Sequence, residues 1–499
     1  MNVSTILSII SLLCCSLFCS ASFRFEGAVT GNQELKLTIN VPLVYAFNRF
    51  NTYEILLDEK GKFSIDLPIR EQKFVYFSTD QEEYILLFSP HKNLYVEMNG
   101  NNHSIERFRG TAAQENEVLH AIHLNSIPFF MERDQEIYTY AKTSPQQVQN
   151  QVVIPWLKIR DERTQLIENS KLSKADKALL KNEVYYNTLS YLSDFAGAIV
   201  RWERPAWRSF ITNLYDSVSV DPPADSRGMQ YYLFIDKYIG YLESKAFDQY
   251  SKDTSMKELP FFNISLDSGK RLAEERSEIY LSWLAVYQNL DKKTAENYLA
   301  QQITNLYDRK DLKPLTFLMD AFEENYSTSY YLPTLREYTN ELRIKLAKNL
   351  QNKSIEIYSG YDQVKSIYEV IASLKGKVVY LDIWGTWCGP CKVELSYVPK
   401  LKERYKNRDM VFVYLDMDDD KKDKEWQDFI HVNELSGIHL RMNNEQIQSV
   451  WQELLPEEKN LHGLYPTYFI FDRQGNLAKE KAKRPSDQDI LYQQLDEYL

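Results

Sequence analysis

The sequence predicts a multidomain protein with an N-terminal antiparallel β sandwich, a central all-α region and a C-terminal α/β domain. Between residues 23 and 110, apolar residues alternate with polar ones, which is the period of half-buried strands. Residues 111–352 contain only four glycines, and their apolar residues recur at helical spacing. Residues 353–499 alternate apolar runs with helical runs, which is typical of a central sheet covered by helices.

The composition limits what this protein can bind. Its 499 residues include 59 Lys and Arg against 70 Asp and Glu, so the formal net charge is −11. Such a chain lacks the broad basic surface that neutralises phosphates, and we expect no nucleic-acid partner. Hydrophobic residues make up 44% of the chain and aromatic residues 13%, which favours folded cores over long disordered tracts.

Residues 1–21 are predicted to be a signal peptide. The apolar run 6–19 is interrupted only by serines, and at 14 residues it is shorter than the ~20 needed to span a bilayer. Small residues before Ser22 suit cleavage there, although no Lys or Arg precedes the run. Two alternatives are a lipid anchor on Cys19 and a buried N-terminal helix of a cytoplasmic protein. The export interpretation places the mature chain in the periplasm or cell envelope.

The predicted sandwich occupies residues 23–110. Runs 35–41 and 63–69 alternate strictly, and residues 58–61, Asp-Glu-Lys-Gly, supply a turn before the second run. Further strand-like runs lie at 74–77, 84–88 and 94–98.

The predicted helical domain occupies residues 111–352. One helix face is predicted from Ile279, Trp283, Val286, Tyr287 and Leu290. Asp291 is then expected to cap a second helix, whose apolar stripe consists of Tyr298, Leu299, Ile303 and Leu306.

The predicted C-terminal domain occupies residues 353–499. Strands are expected at 377–383, 410–415 and 467–471, with a helix at 393–405.

The five cysteines fall into two groups, one at Cys14, Cys15 and Cys19 and the other at Cys388 and Cys391. This distribution excludes a disulfide-stapled scaffold. The second pair follows a strand and opens a helix, where free N–H groups and the helix dipole favour a thiolate. We therefore expect Cys388 to be the exposed nucleophile and Cys391 to be covered.

A zinc half-site is the main alternative for the second pair, but zinc would need two more ligands and the mature chain has no second cysteine pair. A purely structural disulfide across two residues would constrain the unfolded chain little. Redox chemistry is favoured, and no metal is expected. Two further clusters, at Glu117, His120 and His123 and at residues 416–420, lack the pattern that zinc or calcium requires.

The residues Trp387-Cys388-Gly389-Pro390-Cys391-Lys392 form the thioredoxin active-site motif, and Tyr465-Pro466-Thr467 resembles the cis-proline turn opposite it. By these marks the C-terminal domain resembles the TlpA/ResA-like envelope thioredoxins. The sandwich and helical region also resemble the N-terminal half of long members, with residues 108–110 and 114–116 as marks. The resemblance implies a thioredoxin-like fold and a substrate-binding rim made of Trp387, Gly389, Pro390, Tyr465, Pro466 and Thr467.

Two carboxylates are candidates for proton transfer. Asp382, six residues before Cys388, matches the buried acid of thioredoxin, and a buried carboxyl of raised pKa can take the proton from Cys391. Glu394 matches the acid that ResA-like proteins place near their cysteines. The alternatives are a strand-end Asp that reaches solvent, a solvated surface Glu and, for Pro466, an ordinary trans proline.

The resemblance implies a thiol–disulfide oxidoreductase of the cell envelope that acts as a reductant and needs no cofactor. Disulfide-containing envelope proteins would be its substrates, among them apocytochrome c during cytochrome c biogenesis or oxidatively damaged proteins, and a membrane electron carrier would reset the pair. Two alternatives remain open. One is a binding or assembly protein with an accessory redox unit, and the other is a disulfide oxidase or isomerase.

Overall fold

A computed structural model describes residues 22–132, 139–140, 142–202, 214–216, 218–457 and 465–499. The predicted signal peptide and its three cysteines lie outside the described residues. The chain divides into two compact units, the first ending at Thr304 and the second running from Asn305 to Leu499. Within the described ranges, every helix is too short or too polar to cross a membrane.

The first unit begins with eight strands. They are β1 (Phe23–Thr30), β2 (Leu37–Asn40), β3 (Thr52–Ile55), β4 (Lys62–Leu67), β5 (Lys73–Ser78), β6 (Glu83–Phe88), β7 (Asn93–Asn99) and β8 (Ser104–Arg109). They form two four-stranded sheets, one in the order β4-β1-β7-β8 and the other in the order β3-β2-β5-β6. Side chains from both sheets, including Phe25 and Phe77, meet in one hydrophobic core.

One strand pair differs from the antiparallel prediction. Strand β1 pairs with β4 in antiparallel fashion but with β7 in parallel, so the first sheet is mixed. The alternating pattern is present as predicted, since every second residue of β1 is buried from Phe23 to Val29. Alternation reports which face of a strand is covered, and it carries no information about the direction of the neighbouring strand.

Eight α-helices follow in the described part of residues 111–308. They are α1 (Ala113–Ala121), α2 (Pro145–Val148), α3 (Ile154–Asn169), α4 (Lys174–Trp202), α5 (Met229–Lys252), α6 (Leu266–Glu275), α7 (Glu278–Asn289) and α8 (Lys292–Asp308), with a π-helical turn at Gln149–Val153 between α2 and α3. The predicted face of α7 buries Trp283 and Val286, but Tyr287 is 44% exposed because it lies at the edge of that face. Asp291 caps α8 as predicted, since its carboxylate accepts from the backbone N–H groups of Lys293 and Thr294 at 3.0 and 3.2 Å.

A buried asparagine ties α1 to the second sheet. The Asn116 side chain accepts from the Leu87 N–H at 2.8 Å and donates to the carbonyls of Leu87 at 2.9 Å and Ala112 at 2.8 Å. Beside it, the buried Glu115 carboxylate lies 2.5 Å from the Lys92 ammonium. These contacts give Glu115 and Asn116 a structural role at the junction of sheet and helices.

The second unit contains the predicted α/β domain. Its strands are β9 (Ile355–Ile357), β10 (Val378–Trp384), β11 (Met410–Asp416), β12 (Gly437–Arg441), β13 (Thr467–Phe471) and β14 (Leu477–Lys479). They form one sheet in the order β14-β13-β10-β11-β12-β9. The central strand β10 is buried along its whole length and pairs in parallel with β11 and in antiparallel fashion with β13.

The helices of the second unit are α9 (Leu312–Asn325), α10 (Leu332–Asn349), α11 (Ile367–Ser373), α12 (Gly389–Leu395), α13 (Val398–Tyr405), α14 (Asp423–Val432), α15 (Ile447–Leu454) and α16 (Asp489–Asp496). The helix predicted at 393–405 is two helices. Pro399 lies in the first turn of α13, and a proline ring there clashes with continuation of the preceding helix, which ends at Leu395.

Helices α9 and α10, residues 312–349, pack with the α/β domain and are called the α9–α10 hairpin below. Lys313 of α9 pairs with Glu425 of α14. The buried Asn349 of α10 donates to the His431 carbonyl at 2.9 Å and to the Glu434 carboxylate at 3.2 Å. The division between the compact units therefore falls inside the stretch that we predict as the helical domain, 111–352.

Candidate functional site

Cys388 and Cys391 are joined by a disulfide at the carboxyl end of the central strand. Strand β10 ends at Trp384, a short turn follows, and Cys388 occupies the N-cap position of α12. The Cys391 N–H points at the Cys388 sulfur, 3.1 Å away. The predicted arrangement of strand, turn, cysteine and helix is therefore present.

Both sulfur-bearing side chains are covered in this oxidised state. Cys388 is 3% exposed and Cys391 is 1% exposed. The prediction of an exposed Cys388 is wrong for the disulfide form, because the pair belongs to a hydrophobic cluster with Trp384, Leu395 and Phe429. A reacting partner must therefore approach the disulfide across the residues that surround it.

The predicted substrate-binding residues surround this disulfide at different depths. Trp387 is 54% exposed, and its ring meets the Tyr465 ring edge-on with 5.6 Å between centroids. The Tyr465–Pro466 peptide bond is cis, as the sequence predicts, and Pro466 is buried. Gly389 and Pro390 are exposed, while Tyr465 and Thr467 are half-buried. Two further apolar side chains that the sequence prediction omitted, Val393 and Tyr397, are exposed on and just after α12.

Asp382 lies in the middle of β10 and does not reach solvent. Only 3% of the residue is exposed, and within the described ranges its Oδ1 atom has no hydrogen-bond partner. Burial raises the pKa of this carboxyl well above its usual range. The negative charge of Glu394 raises it further, and the positive charge of Lys402 acts in the opposite direction.

Glu394 is also buried, at 5% exposed, so the alternative of a solvated surface residue is wrong. Its carboxylate accepts from the Ser486 N–H at 2.9 Å and from the Ser486 hydroxyl at 2.8 Å. Sequence reasoning missed Ser486 because it lies 92 residues further along the chain and belongs to no motif of the site.

Lys402 is a second residue that the sequence prediction missed. Its ammonium donates to the carbonyl and hydroxyl of Ser436 and lies 4.9 Å from the centre of the Tyr414 ring. Burial lowers the pKa of Lys402 to about 7, against the opposing effect of the Asp382 charge. The sequence contains a sign that Lys402 is buried. It lies four residues after Val398, which places it on the apolar face of α13.

The acidic run after β11 holds the turn that precedes the cysteines. The Asp418 carboxylate accepts from both the backbone N–H and the hydroxyl of Thr386, and the Asp418 N–H donates to Asp416 at 2.9 Å. Arg441 donates to the Asp418 carbonyl at 3.0 Å. Across the described ranges, no three His, Cys, Asp or Glu side chains gather in a way that could hold a metal ion.

Comparison with known proteins agrees with this geometry. The redoxin family matches residues 367–495. The thiol-disulfide oxidoreductase ResA of Bacillus thuringiensis subsp. konkukian is 27% identical over 164 residues, which cover 32% of this chain and 81% of that protein. The ResA of Bacillus thuringiensis strain Al Hakam is 43% identical over 115 residues, which cover 22% of this chain and 57% of that protein.

Among solved structures, a solution structure of a protein described as a thiol-disulfide oxidoreductase from Bacteroides vulgatus matches with 32% identity and a TM-score of 0.21. The match covers 26% of this chain and 75% of that one.

Proposed function

Because the C-terminal domain is a thioredoxin-like thiol–disulfide oxidoreductase of the TlpA/ResA redoxin type, we propose that the chain reduces disulfide bonds of other proteins in the cell envelope. The observation that carries this proposal is the Cys388–Cys391 disulfide at the start of α12, next to a cis-proline turn. An extended segment of a substrate can pair with the backbone beside such a proline and bring its own disulfide to Cys388.

The reaction starts from the reduced pair. The Cys388 thiolate attacks one sulfur of the substrate disulfide, which breaks that S–S bond, forms a mixed disulfide and releases the other substrate sulfur as a thiolate. Cys391 then passes its proton to the Asp382 carboxylate and attacks the Cys388 sulfur. The mixed disulfide breaks and the substrate leaves with both sulfurs reduced. The cysteine pair has lost two electrons and is now the Cys388–Cys391 disulfide.

Asp382 and Glu394 have different roles in this proton transfer, because their surroundings differ. A raised pKa makes Asp382 a stronger base than an ordinary carboxylate, so it can accept the Cys391 proton and return one when the pair is reduced again. Glu394, fixed by Ser486, places a negative charge close to Asp382. No cofactor takes part in these steps.

The environment of the reaction follows from the same proposal. Residues 1–21 direct export into the periplasm or cell envelope, where protein disulfides persist. The signal is then either cleaved before Ser22 or processed to a lipid anchor on Cys19. The substrates are disulfide-containing envelope proteins, with apocytochrome c and oxidatively damaged proteins as candidates. A membrane electron carrier returns two electrons and two protons to the oxidised pair after each turnover.

The test is to trap the mixed disulfide in cells. A Cys391→Ala variant keeps the attacking thiol and loses the resolving one, so it should accumulate disulfide-linked envelope proteins that mass spectrometry can identify. The matched control is Cys388→Ala/Cys391→Ala, which should trap none. Failure to trap any partner while Cys388 is reduced and reacts with an alkylating agent would contradict the proposal.

Two further measurements separate the alternatives. A reductase should show a reduction potential close to the roughly −270 mV of thioredoxin, whereas a value close to the ~−120 mV of DsbA would favour an oxidase. Cells that keep the normal phenotype with Cys388→Ser would favour a binding or assembly role with an accessory redox unit.

A further inference from the structure

The lysine that follows the second cysteine is paired with an acid from outside the redox motif. The Lys392 ammonium lies 2.7 and 2.9 Å from the two carboxylate oxygens of Asp311, the residue immediately before α9. Both side chains are mostly covered, at 17% and 20% exposed. The ammonium also lies 5.0 Å from the centre of the Phe429 ring.

The Lys392–Asp311 pair is partly buried, which strengthens the electrostatic effect of each charge on its neighbours. Burial raises the pKa of Asp311, and the charge of Lys392 is the largest influence that opposes this rise. In such partly dry surroundings the effective dielectric constant is well below that of water, so a charge acts on its neighbours more strongly than it would at the surface.

Asp311 is held in place by the helices that follow it. The α9–α10 hairpin is fixed to α14 at both ends, by Lys313 and Glu425 near its start and by Asn349 and the His431 carbonyl near its end. The Asp311 carboxylate is therefore presented to α12 by a packed pair of helices rather than by a loose loop.

Lys392 is the nearest cation in sequence to the reacting sulfurs, one residue after Cys391 on the same short helix. A positive charge close to a cysteine stabilises its thiolate. Stabilising the thiolate of the reduced form makes a dithiol pair a stronger oxidant. A Lys392 charge without a partner would therefore favour the thiolate, and the carboxylate of Asp311 opposes that charge.

We propose that Asp311 is a positioning residue of the redox site, which neutralises Lys392 so that the thiolate form of the reduced pair gains little from that lysine and the pair stays reducing. The inference rests on the proposed redox function of Cys388 and Cys391. It also gives the α9–α10 hairpin a role in the chemistry, because a change in how the hairpin packs would change the charge beside the cysteines.

The test uses four variants of the full chain, each equilibrated with reduced and oxidised glutathione. Asp311→Asn leaves the lysine charge without its partner and should shift the equilibrium toward the reduced protein, on the order of threefold. Lys392→Met leaves the acid alone and should shift the equilibrium toward the oxidised protein by a similar factor. The double variant should return close to the wild type.

The matched control is Glu323→Gln, which breaks an exposed ion pair with Arg336 inside the same hairpin. It should leave the glutathione equilibrium unchanged even if it lowers the melting temperature. The alkylation rate of Cys388 against pH gives a second reading, with its midpoint expected to fall in Asp311→Asn.

Equal equilibria in all variants, or shifts of the same sign in both single variants, would overturn the inference. If Asp311→Asn does not fold, the sign of the Lys392→Met shift decides. A wild-type pair that fails to exchange with glutathione at all would instead overturn the proposed function, so the two failures can be told apart.

Discussion

Asp382 is the side chain from which we expect the pH dependence of the reaction to come. Its carboxyl must be ionised to accept the Cys391 proton, and burial raises its pKa well above the usual range. Resolution of the mixed disulfide should therefore speed up as the pH rises through that raised pKa. In Asp382→Asn we expect the rate at neutral pH to fall on the order of 10²-fold and the rise with pH to disappear.

Rapid-quench measurement of the mixed disulfide at a series of pH values checks this expectation. The exposed Asp362 offers a control, since Asp362→Asn should leave both the rate and its pH profile unchanged. An unaltered pH profile in Asp382→Asn would show that another group takes the proton.

The same carboxyl should make the folded state less stable as the pH rises. A group whose pKa is raised by folding binds its proton more tightly in the folded state, so the free energy of unfolding falls as the pH rises from the unfolded pKa, ~3.9, to the folded one. Replacement by Asn removes this dependence. We expect Asp382→Asn to gain stability relative to wild type as the pH rises from the unfolded pKa towards the folded one.

Urea unfolding at several pH values between 4 and 9 measures this difference. A constant difference across that range would mean that Asp382 is not the group responsible.

Residues of the site differ in how far the sequence reveals them. The cysteines form a recognisable motif, Asp382 lies six residues before it, and Tyr465-Pro466-Thr467 is a motif of its own, so the sequence predicts the positions of all of them. Ser486 and Asp311 reach the site from 92 and 81 residues away, and no local pattern links such partners. The prediction that Cys388 is exposed was wrong for the disulfide form. It rested on the position of Cys388 at a helix N-terminus, whereas burial depends on the side chains that pack around the helix.

At the level of elements, the junction between α1 and β6 depends on Asn116. Its side chain makes three hydrogen bonds to buried backbone groups, and Asn116→Ala would remove all three. Because an unpaired buried polar group costs ~1–3 kcal/mol, we expect a loss of about 2–4 kcal/mol in the stability of the first unit. Chemical denaturation followed by tyrosine or tryptophan fluorescence measures the loss.

The exposed Gln114 on the same helix provides the comparison, since Gln114→Ala should change stability by less than about 0.5 kcal/mol. Equal effects of the two substitutions would argue against the buried contacts as the cause.

Apolar patterns predicted some of the strands and helices, and they left out how these elements pair and pack. Three of the six strands of the C-terminal sheet, β10, β11 and β13, appear where apolar runs predict them, because a strand buried on both faces leaves a continuous apolar run. The break at Pro399 was readable in principle, since a proline inside a helical pattern marks a boundary. The parallel pairing of β1 with β7 was not, because it joins strands about 70 residues apart.

At the scale of the whole molecule, the α9–α10 hairpin belongs with the redox domain. Composition changes at residue 353, where helices give way to alternating strands, whereas the compact units divide at Thr304 and Asn305. The pattern of apolar residues indicates whether a segment is a helix or a strand, but it does not indicate which core the segment packs against. For this reason the sequence could predict three kinds of structure but not that two helices join the third.

This assignment predicts that a fragment of residues 305–499 is more stable than one of residues 353–499. The shorter fragment loses the contacts of Lys313 and Asn349 and uncovers the part of α14 on which the hairpin lies. We expect its thermal midpoint to be lower by at least several degrees, because 1 kcal/mol corresponds to roughly 2–4 °C in domains of this size.

Calorimetry of the two purified fragments decides the matter, with the glutathione equilibrium of each as a second reading. Identical midpoints would mean that the hairpin contributes nothing to the stability of the redox domain.

The central position of β1 in its sheet bears on how the protein is made. This strand is the first part of the described chain to be synthesised, and one of its edges can pair with β4 once residue 67 has been added. The other edge waits for β7, whose last residue in the pairing is Asn99. At about 5–20 residues per second, that is a delay of roughly 3–14 s after β1 itself is complete. During this interval Phe23, Phe25 and Val29 have no finished core to enter, so the nascent chain exposes an apolar strand with at least one unpaired edge to any chaperone that binds it.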